Sequence, residues 1–125
     1  MKRVLVVDDN EEVADGIRRF VEVNGHEAVT ALNGLEAWLI LDRDQRFDAI
    51  ISDRDMPEMD GVTLLNRVRD DPRTINIPFD LITGGGGGVE EDGAEVPLGD
   101  YCDKRNAHCW FKPFFISDLL ERRGL

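Results

Sequence analysis

An α/β domain built on a doubly wound, five-stranded parallel sheet is the fold class this sequence predicts, and three observations predict it. Short apolar runs alternate with amphipathic stretches of about ten to fifteen residues, the pattern of repeated βαβ units. Two of the runs end in acids: Arg3-Val4-Leu5-Val6-Val7 meets Asp8-Asp9, and Asp48-Ala49-Ile50-Ile51-Ser52 meets Asp53. After Asp53 come Pro57 and Gly61, so a buried strand delivers its acid to a loop rather than to more strand.

The elements follow in order. Asn10 is an N-cap candidate with Glu11 and Glu12 in the first turn, Val13, Ile17, Phe20 and Val21 recur at helical spacing, and Gly25 closes the helix. Glu27 to Ala31 is a short strand. Gly34 to Arg43 is a second helix with Leu35, Trp38, Leu39 and Leu41 as its apolar side, and Asp48 to Asp53 is the third strand. Asp60-Gly61 forms a turn and opens a helix over Val62 to Arg69, with Val62, Leu64, Leu65 and Val68 inward and Asp71-Pro72 as the stop. Pro78 to Thr83 is the fourth strand, Ala107 to Phe111 the fifth, and Ser117 to Arg123 a short last helix. One stretch breaks the pattern. Gly84 to Asn106 opens with five consecutive glycines and has no sustained apolar period. Each glycine costs about 0.8–1.0 kcal/mol relative to alanine inside a helix. The expectation there is a mobile loop, with at most a helical fragment around Leu98 to Arg105.

Bulk properties narrow the function classes. A chain of 125 residues buries roughly 65–70% of its unfolded surface, enough for residues 1–125 to fold as one domain without covalent staples. With 26 acidic against 15 basic side chains the net charge is −11, which opposes direct contact with nucleic acid or an anionic membrane and suits a basic partner face or Mg²⁺. No apolar run approaches the ~20 residues of a membrane span, and Met1-Lys2-Arg3 leads straight into a strand, so the expected compartment is the cytoplasm. Cys102 and Cys109 do not have CxxC spacing, and a reducing compartment disfavours a disulfide. Even with His108 and His26 they lack a recognisable zinc pattern, so they read as buried or loop thiols. Trp38 and Trp110 read as packing residues.

If the first and third strands are parallel neighbours, Asp8, Asp9 and Asp53 meet at the carboxyl edge of the sheet, where open α/β sheets bind ligands. Like charges that close repel, and a divalent cation is the natural third party. Either Asp8 or Asp9 alone would equally serve as a helix cap.

Asp8-Asp9, the string Asp53-x-x-Met56-Pro57-x-Met59-Asp60-Gly61, Thr83 at a strand end and Phe111-Lys112-Pro113-Phe114 stand in this order across nearly the whole chain. Together they resemble the two-component response regulator receiver domain. The resemblance implies a flavodoxin-like (βα)5 fold in which Asp53 accepts a phosphoryl group. It also implies that Asp8, Asp9, Asp53 and the backbone carbonyl of Asp55 hold Mg²⁺. Thr83 would hydrogen-bond the phosphoryl group, Lys112 would pair with it, and the Lys112-Pro113 bond would be cis. The donor would be a phosphohistidine on a sensor histidine kinase or a histidine phosphotransfer protein. Output would be contact with a downstream protein, without nucleic acid or membrane, and the only chemistry would be the domain's own phosphorylation and dephosphorylation. These residue types make sense of that chemistry: an anionic carboxylate attacks an anionic phosphoryl group only where charge is neutralised and the attack is held in line.

The sequence also departs from that family. The family usually places a small residue such as Ala after the threonine, where Gly84 stands, and the 29 positions from Thr83 to Lys112 exceed the usual length. Pro78-Phe79-x-x-x-Thr83-Gly84 resembles a subset of stand-alone receivers, which fits a chain that ends just after its last helix. Three residues before Lys112, where many receivers carry a Tyr or Phe that reports phosphorylation, this chain has Cys109. Switching is therefore expected through ordering of the Gly84 to Asn106 segment. Asp55 adds a carboxylate at the mouth of the site. Two other classes fit less of the sequence: a haloacid-dehalogenase-type phosphatase, whose DxDx(T/V) string Asp53-Arg54-Asp55 matches only in its first half, and a binding module of receiver shape that is never phosphorylated.

Overall fold

The computed structural model describes residues 1–85 and 87–125; Gly86, within the expected mobile run, lies outside the described residues. The strands β1 (Arg3–Val7), β2 (Glu27–Ala31), β3 (Ala49–Asp53), β4 (Phe79–Thr83) and β7 (Ala107–Phe111) form one parallel sheet in the order β2-β1-β3-β4-β7. Because both faces are covered, the central strands β1 and β3 are largely apolar, and alternation along the sheet sorts their side chains between two cores. Leu5, Val7, Ile50, Phe79 and Leu81 pack under α2 (Gly34–Arg43), α3 (Gly61–Asp70) and α4 (Leu98–Asp103). Val4, Val6, Ala49, Ile51 and Ile82 pack under α1 (Glu11–Val23) and α5 (Ile116–Arg122).

Helix starts follow local chemistry. Asn10 accepts from the Glu12 and Val13 amides, Asn33 from that of Glu36, and Asp60 from that of Thr63. Gly25, at φ +86°, follows α1 in the left-handed conformation that helix ends favour. The α3 core face is as expected, with Val62, Leu64, Leu65 and Val68 all buried. On α1 the buried face is Ala14, Ile17 and Val21, whereas Val13 and Phe20 are 40% and 51% exposed. On α2, Ala37, Trp38 and Leu41 are buried and Leu35 and Leu39 are exposed. Both shifts have one cause. A single sheet beneath a helix covers a narrower stripe than the full apolar pattern, and the residues on its flank stay in water.

The segment expected to be a mobile loop is where the structure departs most from the sequence reading. It contains a β-hairpin, β5 (Gly88–Glu91) paired antiparallel with β6 (Ala94–Pro97), followed by α4. Asp92 and Gly93 form its turn with φ +52° and +82°, the two positive values a tight two-residue hairpin turn requires. Val89 lies opposite Val96, and both pack against the larger core. Polar contacts hold the hairpin down. Arg54 donates to the Gly88 carbonyl at 2.8 Å, and Arg105 donates to Glu91 at 2.7 Å while stacking over Tyr101. The helical fragment is real but shorter than expected, six residues that bury Leu98, Tyr101 and Cys102.

Asp80, in the middle of β4, is fully buried on the α1/α5 side. It accepts from Trp110 Nε1 at 3.1 Å and from Arg123, which closes α5, through Nε at 2.7 Å and Nη2 at 2.9 Å. The hydrogen bonds to the Asp80 carboxylate raise the Arg123 pKa further, so the guanidinium stays charged. A lone charge in that position would cost far more than the pair returns. Replacing Arg123 with Met should therefore lower the unfolding free energy by roughly 3–5 kcal/mol in urea titrations, and adding Asp80→Leu should recover most of that loss.

Candidate functional site

Parallel pairing of β1 with β3 sets Val7 opposite Ser52, so both strands run out at the same edge of the sheet. That edge is also where the strand order reverses, since β2 leaves β1 on one side and β3 returns on the other. Asp8 and Asp9 follow β1, Asp53 ends β3, and one carboxylate oxygen from each lies within 4.8 Å of the others. Asp8 is buried and fixed by the Asn10 amide, which donates to its Oδ1 at 2.8 Å. Asp9 is exposed, and the Asp53 side chain is 12% exposed. Lys112, in the segment after β7, reaches across the end of β4 and places Nζ 3.8 Å from Asp53 Oδ1. The Lys112-Pro113 bond is cis, as the sequence resemblance implied.

The loop after Asp53 is seated by two glycines. A Cβ on Gly61 would lie 2.2 Å from the Asp53 carbonyl oxygen, and one on Gly34 would lie 2.4 Å from that of Met59. Met56 and Met59 pack against the core, which gives the Met-Pro-x-Met part of the string a packing role. Asp55 is exposed on this loop. Thr83 ends β4 beside Asp53, whose register partner is Ile82, but its buried hydroxyl is engaged locally and donates to the Gly85 carbonyl at 3.1 Å. Thus Asp8, Asp9, Asp53 and Lys112 form one cluster, Thr83 borders it while bonded elsewhere, and Asp55 is exposed on the loop that follows Asp53. Arg54, which sequence reasoning passed over, links the residue after Asp53 directly to the hairpin, and nothing in the Asp-Arg-Asp string signals that contact.

The cluster is electrostatically strained. Burial and the neighbouring Asp8 charge push the Asp53 pKa from the usual 3.8 up to about 6, against the opposing pull of Lys112. Burial also raises Asp8, opposed by the Asn10 amide and Lys112. Three acids and one lysine leave a half-buried site with surplus negative charge and hard oxygen donors, the setting that suits a small divalent cation.

Residues 4–87 match the family described as the response regulator receiver domain. The chain is 39% identical over 89 residues to the chemotaxis protein CheY1 of Helicobacter pylori, covering 70% of this chain and 72% of that protein. It is 37% identical over 82 residues to the polar-differentiation response regulator DivK of Brucella anthropi, covering 66% of each. Among solved structures, the receiver domain of the Francisella response regulator 1452 superposes with a TM-score of 0.79 at 29% identity, covering 99% of this chain and 94% of that one. Chemotaxis protein CheY4 of Vibrio cholerae gives 0.77 at 28% identity, covering 98% and 95%. The family match stops just before the hairpin, so Lys112 is placed at the site by its distance to Asp53 and not by that match.

The raised Asp53 pKa makes a signed prediction. The folded state binds this proton more tightly than the unfolded chain does, so the associated stability is full below about pH 4 and is lost as pH rises through about 6. Asp53→Asn should therefore stabilise the cation-free protein at pH 7 by about 1–3 kcal/mol, and the gain should vanish near pH 4. Parallel urea melts at the two pH values test it.

Proposed function

The chain belongs to the response regulator receiver domain family of two-component systems, and on that premise we propose that residues 1–125 act as one receiver whose phosphoacceptor is Asp53. The observation that carries this reading is the convergence of the Asp8, Asp9 and Asp53 oxygens within 4.8 Å, with Lys112 Nζ 3.8 Å from Asp53 Oδ1. The donor is a phosphohistidine on a sensor histidine kinase or a histidine phosphotransfer protein. An Asp53 oxygen attacks phosphorus, the P–N bond breaks, and the imidazole leaves with the electron pair and takes up a proton.

Asp8, Asp9, Asp53 and the Asp55 backbone carbonyl are the groups that would hold Mg²⁺. Bound there, the ion offsets the charge that an anionic donor brings to an anionic acceptor. The protein's own residues do the rest. Lys112 supplies a point charge to the transferred group. Asn10 holds Asp8 in place, and Gly61 lets the following loop lie against the Asp53 carbonyl. Thr83 exchanges its bond to the Gly85 carbonyl for one to a phosphoryl oxygen, which withdraws a tether from the start of the glycine run. Arg54 offers a second route, because any shift of the backbone after Asp53 moves the Gly88 carbonyl it holds. The hairpin and α4 are then the surface that changes, and a downstream protein reads it in the cytoplasm. Beyond its own phosphorylation and dephosphorylation the domain has no catalytic role.

Incubation with Mg²⁺ and phosphoramidate or acetyl phosphate, followed by intact mass, should add one phosphoryl group to the wild type and none to Asp53→Asn, and chelation of the cation should abolish the addition. Turnover of a phosphomonoester, or no addition to the wild type, overturns the reading. Hydrogen exchange in the hairpin and α4 should change when a phosphoryl mimic is bound; unchanged protection there rules out this route of switching.

A further inference from the structure

The acidic cluster lies at the carboxyl edge of the sheet, and at the opposite, amino edge the chain gathers positive charge instead. A cavity of about 170 Å³ opens there between α5, the first residues of β7 and the segment that leads into β4, with Asn76, Asn106, His108, Arg122 and Arg123 in its lining. Its walls are fixed from two sides. Arg69, on α3, donates to the Ile75 and Ile77 carbonyls and to the Arg105 and Asn106 carbonyls, which clamps together the two backbone segments at the rim. Asp80 lies opposite His108 in the register of β4 with β7, and it engages Arg123 through two hydrogen bonds. Asp80 also accepts from Trp110, whose ring meets the His108 imidazole edge-on with centroids 4.9 Å apart. Arg123 is therefore spoken for, and Arg122 and His108 are not. Among the described residues neither of those two side chains has a hydrogen-bond or ion-pair partner.

We propose that this cavity binds a tetrahedral oxyanion, phosphate either free or as the monoester of a small molecule. Size sets the first limit. A drug-sized ligand needs a cavity of roughly 300 Å³ or more, so this one admits a single small polar group and excludes a nucleotide. Charge sets the second. Arg69, Arg122 and Arg123 border the cavity with one buried carboxylate, Asp80, among them, a local inversion of sign in a chain of net charge −11. The partial negative charge at the end of α5, at most about half a unit, does not cancel that surplus. The positive groups also act on one another. Burial and the Arg123 charge lower the Arg69 pKa, and burial, Arg122 and Arg123 lower that of His108 against the pull of Asp80 and Asp103. An anion relieves both. Arg122 offers a planar fork suited to two oxygens of one group, His108 an N–H, and the Asn76 and Asn106 amides neutral donors. These donors come from α5, from β7 and from the segment before β4, three directions that suit a tetrahedral group better than a planar carboxylate.

The test follows both histidines of the full chain by NMR as orthophosphate is added at constant ionic strength. The His108 resonances should shift to saturation and its pKa should rise, because a bound anion favours the imidazolium. His26 is the internal control: it accepts from the Lys2 amide, β1, β3 and β4 lie between it and β7, and it should not move. Arg122→Gln, at an exposed position that leaves the pair of Asp80 and Arg123 intact, should weaken binding by about tenfold or more. Sulfate should compete with orthophosphate, and acetate should not. Glycerol phosphate, titrated in parallel, separates the two sources: tighter binding than orthophosphate assigns the site to a monoester, weaker binding to the free ion. No shift at His108, a shift that sodium chloride reproduces or that never saturates, or one unchanged in Arg122→Gln would each overturn the proposal. Neither Mg²⁺ nor a phosphodonor is added, so the result stands or falls apart from the assignment of Asp53.

Discussion

Three carboxylates held within 4.8 Å of one another repel, and much of the local design can be understood as the means of keeping them there. Asp53 bears most of the strain, since burial and the adjacent Asp8 charge both favour its protonated form. Two strands buried at four of their five positions carry the acids to the same edge, so separation would mean breaking the centre of the sheet. Lys112 and the Asn10 amide offset part of the repulsion. The remainder is a standing preference for positive charge, present before any ligand arrives.

The sheet was legible because its signal is redundant: apolar runs, turn residues and acids at strand ends all gave the same strands, and the observed bounds differ by a residue or so. Asp8, Asp9 and Asp53 were legible because they sit at ends of those strands, where topology alone determines who meets whom, whereas Lys112 entered only through the family resemblance. Helix faces were less so, because a pattern such as Val13, Ile17, Phe20 and Val21 states which residues are apolar and not how wide a stripe the partner sheet covers. Asp80 and Arg123 were missed for a related reason. An acid inside an apolar strand gives no hint of a partner 43 positions away.

The fourth crossover shows how composition can mislead. Five consecutive glycines argue correctly against a helix, but the same stretch continues into Asp92-Gly93 flanked by Val89 and Val96, a short-range hairpin signal in its own right. Local pairing supplied the backbone hydrogen bonds that a helix could not. Long-range contacts from Arg54, Arg105 and Asn66 then joined the hairpin and α4 to the rest of the molecule. Since Arg54 is the residue after Asp53, the covalent chain itself connects the acidic cluster to the hairpin.

The Asp92-Gly93 turn projects from a two-stranded ribbon whose exposed tip makes no contribution to either core. A chain can be opened at such a tip at little cost, because closing a longer loop adds only about 0.6 kcal/mol for each doubling of its length. That makes it a natural insertion point for a fluorescent reporter or an affinity epitope, placed beside the region read by partners while the buried sheet stays undisturbed.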